Sequence, residues 1–189
     1  MLTRDFPGAT QLFRDIDAAV CQGCEKELVD ALRGVLSRAM RDPDMQLPDC
    51  VREGNPEGYV RRELYRSERH GYCVTAMTWA PGQGTGLHDH DGKWCVEGVW
   101  QGALEITQFE RMEQQEGRAR FEPRATITAG RGSAGSLIPP HEHHTIRNPS
   151  TDETAVSVHV YSAPLTCCSA FEPEGDDWYR CCPRQLSND

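Results

Sequence analysis

The sequence predicts a mainly β protein, an antiparallel barrel or jelly roll that carries an N-terminal helical segment. Two observations predict it. From Tyr59 onward, short runs rich in Val, Ile, Thr, Tyr and Trp are separated by clusters of Gly, Pro and Asp, whereas Ala9 to Met40 carries apolar residues at three- and four-residue spacing. A chain of 189 residues has room for one domain with a substantial core. One domain over residues 1–189 is expected, with helices and a connector over 1–56 and a barrel with its C-terminal tail over 57–189.

In the helical segment, Leu12, Ile16, Ala19, Val20, Leu28, Ala31, Leu32, Val35, Leu36 and Ala39 form the apolar stripe, and Gly23 marks a break between two helices. Pro43, Pro48 and Pro56 then impose an irregular connector. Strands are expected over Tyr72 to Trp79, Trp94 to Trp100, Ala103 to Glu110, Ala119 to Glu122, Ala125 to Thr128, Ser136 to Ile138, His144 to Asn148 and Ala155 to Tyr161.

The formal charge of -9 excludes a general nucleic-acid or anionic-membrane binder, which needs an excess of Lys and Arg, and favours a small-molecule partner. Nothing near Met1 reads as a secretory signal and no stretch reaches the length of a membrane span, so a cytoplasmic protein is expected, acting as a monomer. Nine cysteines, an odd number without an export route, read as free thiols. Cys21 and Cys24 form a CxxC, but no second pair accompanies them to complete a zinc set, and Cys181 and Cys182 read as peripheral.

The chemistry concentrates in His88-Asp89-His90. Residues two apart on a strand share a face, so both imidazoles aim at one point while Asp89 turns away. Cys95 and Gly102 follow, and Pro139, His144 and Asn148 answer them some fifty residues on. A third histidine from a neighbouring strand would close a three-histidine metal site whose open coordination positions suit catalysis. Spacing to Asn148 selects His144, and His141, His143 and His70 are expected at the surface. Glu97 is expected to have the wrong strand parity for a ligand.

Gly82, His88, His90, Cys95 and Gly102 resemble the first motif of the cupin family, with Cys95 where many cupins carry a glutamate ligand. Gly132, Pro139, His144 and Asn148 resemble the second, with His141 at its usual glycine position. The replacement by Cys95, the run Ser157-Val158-His159-Val160-Tyr161-Ser162 and the tail Cys168-Ser169-Ala170-Phe171 further resemble the cysteine dioxygenases, the thiol-dioxygenase branch of the cupins, from about Tyr59 to Phe171. That resemblance implies His88, His90 and His144 as ligands of a non-haem Fe(II), with O₂ as co-substrate and a small thiol as substrate. It implies a hydrogen-bonded series Ser157, His159, Tyr161 in which His159 orients the Tyr161 hydroxyl, and alternation independently puts these three on one face. It also implies that Cys95 either forms a thioether to Tyr161 or stays a free, buried thiol.

Tyr59-Val60-Arg61 resembles the family segment whose arginine pairs with the substrate carboxylate, a role suited to a planar guanidinium. The Tyr-x-Arg pattern selects Arg61, whereas counting back from Trp79 selects Arg62. In the related 3-mercaptopropionate dioxygenases the carboxylate-binding arginine follows the tyrosine by nine positions, which here is Ala170. The leading expectation is L-cysteine oxidised to cysteine sulfinic acid. Rivals are the same reaction on 3-mercaptopropionate or mercaptosuccinate, a non-catalytic metal- or small-molecule-binding cupin, and a zinc or manganese cupin with another activity.

Overall fold

The computed structural model describes residues 5–187. The ends of the expected domain, residues 1–4 and 188–189, lie outside the described residues. Two helices come first, α1 (Ala9–Val20) and α2 (Glu25–Ala39), followed by a 3₁₀ turn at Asp49–Arg52. The expected break between the helices falls at residues 21–24, where Cys24 caps α2 through a capping box with Glu27. Eleven strands follow: β1 (Val60–Arg66), β2 (Cys73–Trp79), β3 (Leu87–His88), β4 (Cys95–Gln101), β5 (Ala103–Gln115), β6 (Arg118–Gly130), β7 (Ala134–Leu137), β8 (His144–Arg147), β9 (Ala155–Tyr161), β10 (Cys167–Gly175) and β11 (Trp178–Gln185).

They form two walls. One is a five-stranded sheet in the order β1-β2-β9-β4-β7; the other closes on itself in the order β10-β11-β6-β5-β8-β3. All of the pairings within them are antiparallel. This is the double-walled cupin architecture, mainly β with a helical N-terminus.

The five-stranded sheet is buried on both faces, and alternation divides its labour. Val74 and Ala76 of β2, Val96 of β4, and Val156, Val158 and Val160 of β9 pack with Leu12, Ile16, Leu32 and Leu36 of the helices in one core. The intervening residues of the same strands, among them Cys95, Ser157, His159 and Tyr161, therefore face inward, away from the helices. The helices thus cover the back of the sheet whose front carries the chemistry.

Three strands were not among those expected: β1 carries too many charges to read as a core strand, and β10 and β11 hold the Pro, Glu, Arg and Cys residues of a tail. The strand expected to carry both His88 and His90 is only Leu87–His88, so His90 lies beyond its end. Conversely, Ala119 to Glu122 and Ala125 to Thr128 are one strand, β6. Pro123 lies at an irregularity in the β5–β6 pairing, where its missing N–H is tolerated. None of the nine cysteines forms a disulfide. Among the described residues, no helix is long and apolar enough to cross a membrane.

Candidate active site

His88 is paired across the ladder with His144 of β8 on one side and with Ala170 of β10 on the other. His90 follows just beyond β3, in extended chain that Asp89 pins down: the Asp89 N–H donates to the Ser169 carbonyl (3.1 Å) and its carboxylate accepts from the Ser169 N–H (2.8 Å). Asp89 therefore turns outward and both flanking histidines turn in. The rings of His88 and His144 lie 4.4 Å apart, those of His90 and His144 5.0 Å, and those of His88 and His90 5.5 Å. Each offers a ring nitrogen within 4.8 Å of the others.

The hydrogen bonds of this trio suit a metal. Nδ1 of His88 lies 3.1 Å from the Gly86 carbonyl and Nδ1 of His144 lies 2.8 Å from the Glu142 carbonyl. A carbonyl can only accept, so Nδ1 carries the proton in both rings and Nε2 keeps its lone pair for an ion. Nδ1 of His90 is buried without a partner. Burial, reinforced by the neighbouring imidazoles, holds His90 and His144 well below the usual histidine range, and burial also lowers His88. Three neutral nitrogen donors converging in a buried pocket fit a divalent transition metal.

The opposite wall supplies a row. In the β4–β9 ladder Tyr161 is directly opposite Cys95, His159 opposite Glu97, and Ser157 opposite Val99. The indole N–H of Trp79 donates to Ser157 Oγ (2.9 Å), and Ser157 Oγ lies 2.8 Å from Nε2 of His159. The expectation that His159 bonds the Tyr161 hydroxyl is corrected: its two nitrogens go to Ser157 and toward Glu97, and its ring lies parallel to that of Tyr161 at 5.9 Å. Tyr161 instead stands beside Cys95 across the ladder, and the Cys95 sulfur lies 3.8 Å from His159 Nδ1. Burial pushes the Cys95 thiol well above the usual thiol range. The Tyr161 ring lies edge-on to His90 at 5.4 Å, which brings it to the trio.

A cavity of about 410 Å³ opens between the walls, lined by the three histidines with His159, Tyr161, Arg61 and Tyr59. The register identifies its arginine. Arg61 pairs with Met77, which pairs with Ser157, so the three share the inward face. Arg61 donates one bond, from Nη2 to the Leu165 carbonyl (3.2 Å), and its buried Nε and Nη1 have no partner. Arg62 faces the helix side and is engaged there by Thr78 Oγ1 (3.2 Å) and the Glu53 carbonyl (2.8 Å). Tyr59 stacks on Trp79 at 4.6 Å. Ala170 lines the cavity, where it offers no charge.

Other second-motif residues are structural. Asn148 ties the strand ends together, its amide donating to the carbonyls of Trp79 (2.9 Å) and Glu153 (2.8 Å). Gly102 has φ 71, where a side chain would be strained and its Cβ would meet Ala155 at 3.1 Å.

His143, expected at the surface, is buried. Alternation does turn it from His144, but β6 and β10 cover that face, and its ring packs against Phe121 (4.9 Å) and Phe171 (5.6 Å). Burial lowers it to about 4. His70 is half-buried, its ring stacked over Tyr72 at 6.4 Å and its Nε2 3.9 Å from Asp17, whereas His141 is exposed as expected.

Glu97 is the residue sequence reasoning missed. Cys95 and Glu97 are two apart on β4 and share the inward face, so the parity expected for Glu97 is corrected. What keeps it from the trio is its seat beside His159: its Oε2 lies 3.3 Å from His159 Nδ1. Counting by two from Cys95 would have found it.

A cupin whose inward walls hold three converging histidines belongs to the class able to hold a metal beside an open cavity. Within that class the match is specific: residues 55–174, more than half of the chain, fit the family model described as cysteine dioxygenase type I. The chain belongs to the cysteine dioxygenase family. It is 28% identical over 130 residues to cysteine dioxygenase type 1 of Danio rerio, covering 64% of this chain and 64% of that protein. It is 31% identical over 129 residues to the Homo sapiens protein of the same description, covering 60% of each. The chain thus spans a little under two thirds of the length of these curated relatives. Among solved structures, TT1209 from Thermus thermophilus overlaps with a TM-score of 0.47 at 23% identity, covering 64% of this chain and 98% of that one.

Proposed function

We propose that the protein is an Fe(II)-dependent thiol dioxygenase that adds both atoms of O₂ to the sulfur of L-cysteine, giving cysteine sulfinic acid. The observation that carries this reading is Arg61, whose buried Nε and Nη1 face the cavity of the three histidines without partners. A buried guanidinium with unused N–H groups on Nε and Nη1 is matched by a carboxylate, whose oxygens accept charge-assisted bonds. A small molecule anchored there by its carboxylate would lie between Arg61 and the trio, with its thiol toward the histidines.

His88, His90 and His144 would hold Fe(II), which when bound supplies the redox and Lewis-acid chemistry that lets a thiolate and O₂ react at one centre. The protein's own groups do the rest. Three neutral ligands leave the site positively charged and favour the deprotonated thiol. Tyr161 would present its hydroxyl to the reacting sulfur and oxygen, and Cys95 would hold that hydroxyl in place by hydrogen bond or thioether. His159 and Ser157 would brace the row behind it. Leu165, Met77 and Ile146 give the cavity apolar wall.

One observation favours a second thiol. Among the described cavity-lining residues the only carboxylate is Glu172, already engaged by Arg180 (3.1 Å) and Arg184 (2.9 Å). No free acid therefore meets a substrate ammonium, and 3-mercaptopropionate, which lacks one, is the alternative. The test is O₂ uptake by the Fe(II)-loaded protein with cysteine, 3-mercaptopropionate and mercaptosuccinate in parallel, with products identified by mass. A gain of two oxygens on cysteine alone is expected. The same gain on another thiol alone moves the substrate, and no uptake with any of them sinks the reading in favour of a binding cupin. The proposed setting is a cytoplasmic monomer with no nucleic-acid or membrane partner.

A further inference from the structure

We propose that Glu97 is a positioning residue that fixes the tautomer of His159, and through it the row behind Tyr161. The inference rests on the thiol-dioxygenase reading only where it speaks of turnover. Its ground is the direction in which hydrogen bonds must run. An indole nitrogen can only donate, so Ser157 Oγ accepts from Trp79 at 2.9 Å. The hydroxyl hydrogen of Ser157 is then free to donate to Nε2 of His159, 2.8 Å away, and in that arrangement the single proton of the neutral imidazole sits on Nδ1, the tautomer that an acceptor beside Nδ1 selects. Nδ1 faces Glu97 Oε2 at 3.3 Å and the Cys95 sulfur at 3.8 Å.

Glu97 is buried at 8% exposure, and its Oε2 has no well-aligned hydrogen-bond partner. A buried carboxylate without a partner is costly, and the Nδ1–H it faces is the donor that would satisfy it. The structure thus sets the donor and the acceptor of one hydrogen bond 3.3 Å apart. A second cavity of about 90 Å³, lined by Glu97, Ser157 and Leu137, lies beside the pair.

The charge state agrees with the geometry. Burial and the Arg61 guanidinium lower His159 to about 3, so its ring is neutral at ordinary pH. Burial raises Glu97 to about 7. The other titratable groups facing the pair are Cys95 on the same strand, Tyr161 on β9, Cys73 on β2, Arg61 on β1, His88 on β3, His90 just beyond it and His144 on β8. With Glu97 ionised, every hydrogen in the row has an acceptor. Uptake of one proton by the pair reverses this: the Glu97 carboxyl donates to Nδ1, the imidazole proton moves to Nε2, and Ser157 Oγ faces two donors with its own hydrogen displaced. The ionised form is the ordered one.

The test reads the tautomer directly, by nitrogen-15 NMR of the histidine rings between pH 5 and 9, on the protein as purified and after loading with diamagnetic Zn(II). Glu97→Gln keeps an acceptor oxygen of the same shape without its titration, and Glu97→Leu removes the acceptor. Expected is a His159 proton on Nδ1 at pH 8, with a change near pH 7 that vanishes in Glu97→Gln, while Glu97→Leu loses the Nδ1 preference. In thiol-dependent O₂ uptake, Glu97→Leu should lower kcat about tenfold or more with KM little changed, and Glu97→Gln should recover most of that loss. A His159 proton on Nε2 at pH 8, or a tautomer and pH response in Glu97→Leu matching the parent, overturns the proposal. Absence of thiol oxidation in the parent protein would sink the dioxygenase reading alone, because the NMR result stands without turnover.

Discussion

Two adjacent arginines do opposite work. Arg62 is bonded at both ends and holds the connector to β2, whereas Arg61 keeps two buried donors open to the cavity. Replacing Arg61 by Met should therefore lower kcat/KM on a thiol carboxylate by about 10- to 150-fold, the equivalent of about 1.5–3 kcal/mol for a charge-assisted bond, at little cost in stability. The balance is reversed at Arg62→Met, which should lower the melting temperature and leave KM near the parent value. Steady-state kinetics beside thermal melts separate the two; equal kinetic damage at both positions would remove Arg61 from the substrate site. At the trio, His144→Ala should abolish stoichiometric iron binding, read by metal analysis, because two remaining imidazoles no longer close a face around the ion. Sequence spacing singled out these residues because motif distances survive the fold's detail. It left the choice between Arg61 and Arg62 open, since that depends on a strand register set by pairing with β2, which local pattern does not carry.

At the scale of elements, the site depends on how closely β8 approaches the chain before β3. Gly84 bridges Arg147, and a Cβ on it would lie 2.6 Å from the Ile146 carbonyl and 3.0 Å from the Arg147 Cβ. The backbone has to give way, and His144 begins the same strand. Gly84→Ala should therefore cost on the order of 1–3 kcal/mol of stability and weaken metal binding beyond what the fold loses. Urea unfolding read beside iron affinity checks this, and unchanged affinity in a destabilised variant would break the link between the bridge and the trio. The same scale shows what the sequence made legible. Helix periodicity and the alternating runs of β2, β4 and β9 were plain, because burial on a fixed face enforces a period. β10 and β11 were not, because much of their length is exposed and carries mixed charge. β1 hid for a different reason: the partners of Arg61 and Arg62, two backbone carbonyls and a threonine, come together only once the chain has folded. Glu97 was misplaced by a parity error of one residue, and the ladder with His159 corrects it.

For the whole molecule, burying this many titratable groups makes stability depend on pH in opposing ways. His159 and His143 titrate near 3 and 4 in the folded protein, against about 6.5 in an unfolded chain. Below pH 6.5 the unfolded state binds protons that the native state refuses, so stability falls with acid by about 1.4 kcal/mol per pH unit for each such histidine. Glu97 runs the other way. Its folded value of about 7 lies above the 4.5 of an ordinary carboxyl, so its contribution is present in acid and is lost as pH rises from 4.5 through 7. Between pH 4.5 and 6.5 Glu97 cancels one histidine, and the metal-free protein should lose stability on acidification less steeply than its histidines alone dictate. In Glu97→Gln the cancellation disappears, and the acid slope should steepen by about 1.4 kcal/mol per pH unit. Urea midpoints at pH 5.0, 5.75 and 6.5 for parent and variant measure that difference. Parallel slopes would mean that Glu97 is already ionised at pH 5 and that the buried row carries a fixed negative charge in place of a titrating one.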